Sequence, residues 1–254
     1  MATALITGGT SGIGAAFARA LAARGDDLVL VARDADRLSE TATDLKERCA
    51  ISVETIVADL AVRDEVITVA ERLSSVEQPI DMLINNAGFG IRAKLTDSDT
   101  TPHEHAIDVM IRAVLMLAAA AGRIMRERQS GTIINVSSTS GFMTMGSYSA
   151  IKAWVTTYTE SLANELRGTG VTVTALCPGW VRTEFHERAD ITIGMPGFLW
   201  LDADRLVADC LADAVAGKVI SIPSKRYKVL ITICEHLPHR ALRAVSRMLN
   251  RGRH

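Results

Sequence analysis

Tyr148 and Lys152 stand four residues apart at the start of a helical stretch, Tyr148-Ser149-Ala150-Ile151-Lys152, with Ser137-Ser138 just upstream. Residues i and i+4 lie one above the other on a helix face, so a phenol and an ammonium spaced this way share one site. A tyrosine at its ordinary pKa of about 10 is a poor proton shuttle near neutrality. A cation beside it favours the phenolate and brings the pKa toward the working range. The chemistry on offer is proton exchange with an oxygen atom. A Tyr-x-x-x-Lys spacing also occurs by chance on ordinary helices, so the rest of the chain decides its meaning.

A second group of residues handles phosphate. Residues 2–7 read as a short buried strand, followed at once by Gly8-Gly9-Thr10-Ser11-Gly12-Ile13-Gly14 and an alanine-rich helical run from Ala15 to Ala23. Strand, glycine turn and helix is the context of a dinucleotide site. Glycines permit the tight turn and let the backbone approach a pyrophosphate, whose charge sits at the helix N-terminus. The spacing here is Gly-x-x-x-Gly-x-Gly rather than the commoner Gly-x-Gly-x-x-Gly.

The elements that must position these groups alternate. Apolar runs at 2–7, 27–32, 52–57, 80–85, 131–137, 171–176 and 218–222 predict seven strands. Amphipathic runs at 12–24, 34–49, 62–77, 102–128, 147–168 and 202–216 predict helices between them. Such alternation implies an α/β fold with a parallel sheet wrapped by helices on both faces. The middle of 102–128 is apolar all round, which predicts burial on more than one side. Residues 186–201 break the pattern with Gly194, Pro196 and Gly197 among Met195, Phe198, Leu199 and Trp200, and read as a lid or substrate loop.

Composition excludes several classes. A net charge of −1 draws in no nucleic acid, and 48% hydrophobic residues suffice for a large core. The four cysteines, Cys49, Cys177, Cys210 and Cys234, have no metal or disulfide spacing and are expected to be free thiols. His103 and His105 lack further candidate ligands, so no metal is expected. The first strand begins at residue 2, leaving no legible leader, and no apolar run reaches the roughly 18 residues of a membrane span. A cytoplasmic protein is the expectation.

Taken in order, these motifs resemble the short-chain dehydrogenase/reductase family from residue 2 to about 222. They are Thr7 to Gly14, Asp59, Asn85-Asn86-Ala87-Gly88, Ser138, Tyr148 with Lys152, and Pro178-Gly179-Trp180-Val181-Arg182-Thr183. The resemblance implies a single doubly wound Rossmann-type domain and hydride transfer between a nicotinamide and a carbonyl or secondary alcohol. By the same resemblance Ser138 holds the substrate carbonyl, Tyr148 exchanges the proton, and Lys152 also bonds the nicotinamide ribose. Cofactor contacts are implied at Gly8, Thr10, Ser11, Gly12, Ile13 and Gly14, at Asp59 (to the adenine amino group) and Leu60, and at Asn86, Ala87 and Gly88. Pro178, Gly179, Val181 and Thr183 are implied to hold the carboxamide end; Asn86 is implied to brace the sheet.

Arg33, just after the second strand, selects the cofactor. An acidic residue at that position bonds the ribose of NAD, whereas an arginine accommodates the 2′-phosphate of NADP, so NADP(H) is expected over NAD. Two features depart from the family pattern. Met110 occupies the place where the family carries a helix asparagine that anchors a proton-relay water. Ser138 precedes Tyr148 by ten residues, closer than in most relatives, with Ser137 as the competing assignment. Strand alternation lets only one of the two serines face the cofactor.

Past residue 224 the chain changes character, and there the resemblance narrows to the hydroxysteroid and 3-oxoacyl reductase branch. Residues 225–254 carry eight Lys and Arg against one acid, net +7, leaving −8 on residues 1–224. Beyond Pro238 a helix would set Arg240, Arg243, Arg247 and Arg251 on one side and Ala241, Leu242, Val245, Met248 and Leu249 on the other. This basic amphipathic extension docks on its own domain or a partner subunit, lies on an anionic membrane surface, covers the substrate cleft, or is disordered. With the apolar lid it points to a small, lipophilic ketone or a 3-oxoacyl substrate. The resemblance implies a homodimer or homotetramer through 102–128 and 147–168. The alternative from another class is an NADP(H)-binding sensor or scaffold with weak catalysis, for which Met110 is the only support.

Overall fold

In a computed structural model of the chain, residues 2–183 and 197–250 are described. The lid expected at 186–201 therefore lies outside the described residues over 186–196. Seven parallel strands are present: β1 (Thr3–Thr7), β2 (Asp27–Ala32), β3 (Val53–Val57), β4 (Met82–Asn85), β5 (Gly131–Val136), β6 (Val171–Leu176) and β7 (Ile220–Ser221). They form one sheet in the order β3-β2-β1-β4-β5-β6-β7. The order reverses between β1 and β4, and the crevice at the carboxyl ends of those two strands is where ligands bind in such sheets.

The strand sequences explain their places. β1, Thr-Ala-Leu-Ile-Thr, is buried from Ala4 onward because helices cover both its faces. Alternate residues feed opposite cores: Leu5 joins Val29, Leu83 and Ile133 on one side, and Ala4 and Ile6 join Leu28, Leu30 and Ile134 on the other. β3 is an edge strand whose Thr55 and Val57 are exposed, while Glu54, on the more covered side with Ile56, pairs with Arg72.

On the described residues the helices are α1 (Gly12–Ala23), α2 (Ala35–Cys49), α3 (Arg63–Leu73), α4 (Thr101–Ile107), α5 (Ala113–Arg128), α6 (Ser147–Glu165), α7 (Ala203–Val215), α8 (Lys225–His236) and α9 (His239–Asn250). Three differ from expectation. The helix expected over 62–77 stops at Leu73, because Ser74 Oγ bonds back to the Ala70 carbonyl and Ser75 Oγ accepts from Gln78 N–H. The helix expected over 147–168 stops at Glu165, ahead of Gly168 and Gly170, both at positive φ. The helix expected over 102–128 is interrupted by a π-helical turn, Asp108–Arg112. Such turns shift the facing of a helix by one residue and concentrate at functional sites. Met110 sits at the centre of this one.

β7 is short, and its hold on the sheet depends on Asp213 of α7. The Asp213 carboxylate, 9% exposed, accepts bonds from Lys218 Nζ and from Ser221 Oγ at 2.8 Å. Burial pushes its pKa up, but the bonds from Lys218 and Ser221 and the charges of Lys218 and Lys228 outweigh it and hold it below 3.8. A depressed carboxyl stabilises the fold above its unfolded pKa and loses that contribution as pH falls through the folded value. Asp213→Asn is therefore expected to lose about 1–3 kcal/mol at pH 7 in urea unfolding. Its deficit against the wild type should shrink as the pH is taken below 3.8.

Candidate active site

The crevice begins with the loop after β1. Gly8 and Gly12 have φ of +66° and +54°, conformations that a side chain disfavours. A Cβ on Gly14 would stand 2.1 Å from the Gly8 carbonyl oxygen, so no larger residue fits there. Ser11 caps α1 in an extended conformation and makes no side-chain cap bond. The first turn of α1 thus offers backbone N–H donors and a positive dipole end to an anion.

Asn86 fixes this loop from the end of β4. Its side-chain amide donates to the carbonyls of Thr7 (2.9 Å) and Gly8 (3.2 Å), while Thr7 Oγ1 accepts from the N–H groups of Asn86 and Ala87. On the far side Gly12 lies under Thr183, whose Cβ is 3.4 Å from where a Gly12 Cβ would be. The segment Pro178–Thr183 therefore crosses the glycine loop. It is held there by Leu201, whose N–H bonds Trp180 O and whose carbonyl accepts from Arg182 N–H, and by a bridge from Val181 to Leu201.

At the other end of the loop Arg33 is exposed and 3.9 Å from Asp59, with Leu60 buried behind it. Asp59 Oδ1 accepts from Ala61 N–H, which fixes the carboxylate at the end of β3. Arg37, a residue the sequence reading passed over, donates from Nε to the Thr10 carbonyl at 3.1 Å. Asp34 caps α2 by accepting from Arg37 N–H and so sets where the Arg37 side chain departs. Two arginines four residues apart at the start of a helix were the available signal.

The proposed catalytic groups meet on α6 and the end of β5. Lys152 is 4% exposed; its Nζ donates to the Val136 carbonyl at 2.8 Å and lies 5.6 Å from the centre of the Tyr148 ring. Tyr148 and Ser138 are half-buried. Ser137 is turned into the core, its Oγ 2.7 Å from the Lys152 carbonyl and from Thr156 Oγ1. Ser138 Oγ instead contacts Ser140, at 3.1 Å from its N–H and 2.6 Å from its hydroxyl. The short span between Ser138 and Tyr148 is taken up by a tight turn, Thr139–Phe142. Gly141 lets that turn press on α6, since a Cβ there would be 2.9 Å from the backbone of Lys152 and Ala153. Thr139 N–H bonds Pro178 O, tying the Ser138 turn to the Pro178–Thr183 segment.

Met110 is 1% exposed, with Sδ 3.0 Å and Lys152 Nζ 3.7 Å from the position of a Gly88 Cβ. The thioether fills apolar space at the flank of the lysine. His103 and His105 hold structure: His103 bridges Ser147 Oγ (2.8 Å) and Lys94 O (3.1 Å), and His105 stacks on Phe89. No cluster of metal ligands is found among the described residues.

Burial pushes the Lys152 ammonium from 10.5 down to about 8. The nearby Cys177 thiol is itself pushed up to about 12 by burial, so it supplies no counter-charge near neutrality. A lysine whose folded pKa lies below its unfolded value costs stability while it is charged, and that cost is relieved as it deprotonates. The wild type should therefore gain stability relative to Lys152→Met between pH 8 and 10.5, by on the order of 1–3 kcal/mol. Urea unfolding of both proteins across that range measures it; parallel curves would contradict the assignment.

The family described as short chain dehydrogenase matches residues 2–193. An uncharacterized oxidoreductase of Staphylococcus saprophyticus is 40% identical over 190 residues, covering 74% of this chain and 81% of that protein. Among solved structures, a short-chain dehydrogenase from Sphingobium yanoikuyae in complex with NADPH superposes with a TM-score of 0.84 at 34% identity, over 92% of this chain and 94% of that one. The bulky-bulky ketone specific alcohol dehydrogenase from Comamonas testosteroni superposes with a TM-score of 0.80 at 30% identity, over 95% and 99%. The chain belongs to the short-chain dehydrogenase family and is an NAD(P)-dependent oxidoreductase acting on CH–OH groups.

Proposed function

We propose that the protein uses NADP(H) to reduce a lipophilic ketone to a secondary alcohol. The observation that carries the chemistry is the buried Lys152 ammonium beside the Tyr148 ring. A nicotinamide cofactor, when bound, would supply the hydride for the carbonyl carbon. Ser138 holds the carbonyl oxygen with its hydroxyl, and Tyr148 gives its phenolic proton to that oxygen as charge develops there. The Lys152 ammonium stabilises the phenolate left behind, and the same steps reversed describe alcohol oxidation. The Gly8–Gly14 loop and the α1 N-terminus hold the pyrophosphate, Asp59 the adenine, and the Pro178–Thr183 segment the carboxamide.

Arg33 and Arg37 flank the place for a ribose 2′-phosphate, Arg33 from the end of β2 and Arg37 from α2 against Thr10. The NADPH complex of the Sphingobium relative supports the choice of cofactor. The ketone specificity of the Comamonas relative supports the substrate class, as do the apolar residues Phe198, Leu199 and Trp200. A homo-oligomer through α5 and α6 belongs to the same reading. It is supported by Leu115, 43% exposed on α5, and by the stacked Trp154 and Tyr158 rings on α6, 4.8 Å apart. The sensor alternative rests on Met110 alone, and that side chain leaves the Lys152–Tyr148 pair in contact.

NADPH oxidation followed by absorbance, over a panel of ketones, aldehydes, quinones and 3-oxoacyl thioesters, tests the reading. Turnover should be fastest on ketones with two bulky apolar arms. Tyr148→Phe should reduce it by about 10³-fold or more while NADPH affinity changes less than about threefold. Turnover retained within a factor of a few would remove Tyr148 from the chemistry. Arg33→Ala is expected to weaken NADPH about 10-fold or more and NADH by less than about threefold, read by fluorescence titration. Equal losses for the two cofactors would argue against the 2′-phosphate assignment.

A further inference from the structure

The C-terminal helices present one surface that the reaction does not use. α8 is fastened along one side by Tyr227, Ile231 and Cys234, all at most 5% exposed. The Tyr227 hydroxyl accepts from Trp180 N–H (3.1 Å) and donates to the Leu199 carbonyl (2.9 Å), with its ring against Gly179. α9 is pinned by Ser246, 1% exposed, whose Oγ accepts from Thr144 N–H. The inner sides of both helices thus contact the body of the protein.

The outer face is apolar where a surface helix is usually polar. Val229, Leu230 and Ile233, at i, i+1 and i+4, are 61%, 40% and 53% exposed. Together with Leu199, Arg226 and Tyr227 they line a shallow depression of about 290 Å³. Cations accompany it: Arg226 lines the same depression, Lys225 and Lys228 are exposed on α8, and Arg240, Arg243 and Arg247 are exposed on α9. The only acid in residues 225–254 is Glu235, whereas residues 1–224 carry a net −8.

We infer that α8 and α9 form a docking face for an anionic lipid bilayer, with the Val229–Leu230–Ile233 stripe entering the headgroup boundary and the lysines and arginines meeting lipid charge. The combination selects this occupant. Exposed aliphatics gain by leaving water in the interfacial region, and each cation near a negatively charged leaflet adds attraction. A second copy of the same face would set its exposed lysines and arginines against those of the first and be repelled. No described helix is long and apolar enough to cross a membrane, so the contact is peripheral. The inference does not depend on the substrate or cofactor proposed above.

Co-sedimentation of the full chain with vesicles tests it. The two probes are phosphatidylcholine alone and phosphatidylcholine with about one-third phosphatidylglycerol, both at about 0.1 M salt. Binding should be at least about 10-fold tighter to the anionic vesicles. Val229→Ser with Ile233→Ser should weaken it about 10-fold or more, with the melting temperature unchanged because both side chains already face solvent. Absence of binding, equal binding to both vesicles, or binding that ignores the double substitution would each overturn the inference. So would capture of an acidic acyl-carrier domain by the same face with no vesicle binding, which would make the partner a protein.

Discussion

The seating of α6 against β5 and β6 is the constraint on which the site depends. It is made by a buried polar seam inside an otherwise apolar interface. Asn85 Nδ2 donates to Asn135 Oδ1 across the two strands, and Asn135 Nδ2 continues to Thr159 Oγ1 on α6. One helical turn nearer the site, Ser137 and Thr156 bond the Lys152 carbonyl. Apolar packing alone tolerates sliding by a fraction of a turn; fully satisfied buried hydrogen bonds do not, because a lost partner leaves a desolvated polar group. The seam fixes α6 along its axis and in rotation, and so brings Lys152 Nζ onto the Val136 carbonyl with Tyr148 one turn away.

That placement is costly in stability and useful in chemistry for the same reason. An ammonium removed from water is a destabilised charge, and any negative charge forming beside it gains more than it would at a surface. Here the only described bond to the ammonium is a neutral carbonyl, and the neighbouring thiol is uncharged. The cation is left to favour a phenolate at Tyr148. The structure tolerates the burial because the sheet, packed on both faces, is large enough to carry one unfavourable group at the carboxyl end of β5.

The fold was legible because its signals are local and repeated. Seven apolar runs separated by amphipathic ones gave each strand within two residues at either end, and glycines at Gly8, Gly12 and Gly14 marked the crevice. The pairing of Tyr148 with Lys152 was legible because i and i+4 on a helix always face the same way. Less legible were features that depend on a partner distant in sequence. Asn85, Asn135 and Thr159 look like polar interruptions of apolar runs, and nothing in their spacing says that they bond to one another across three elements. Arg37 reaches Thr10 only because α2 packs beside the glycine loop. The π-helical turn at Asp108–Arg112 has no compositional mark, and its Arg112 fastens to the Ala61 carbonyl, which sequence spacing does not reveal.

The C-terminal extension shows the same division within one helix. Its basic and apolar halves are plain from periodicity, yet periodicity cannot say which apolar residues turn inward. On α8 the answer comes from Tyr227. Gly179 lacks a side chain, and a Cβ there would fall 2.1 Å from the Tyr227 ring, so the aromatic face lies directly on the backbone of the Pro178–Thr183 segment. Its hydroxyl then joins Trp180 on the outgoing arm of that segment to Leu199 on the returning one. With Tyr227 committed inward, helical geometry sends Ile231 and Cys234 the same way and leaves Val229, Leu230 and Ile233 outside. One tyrosine therefore sets both the shape of the segment beside the glycine loop and the character of the surface the extension presents.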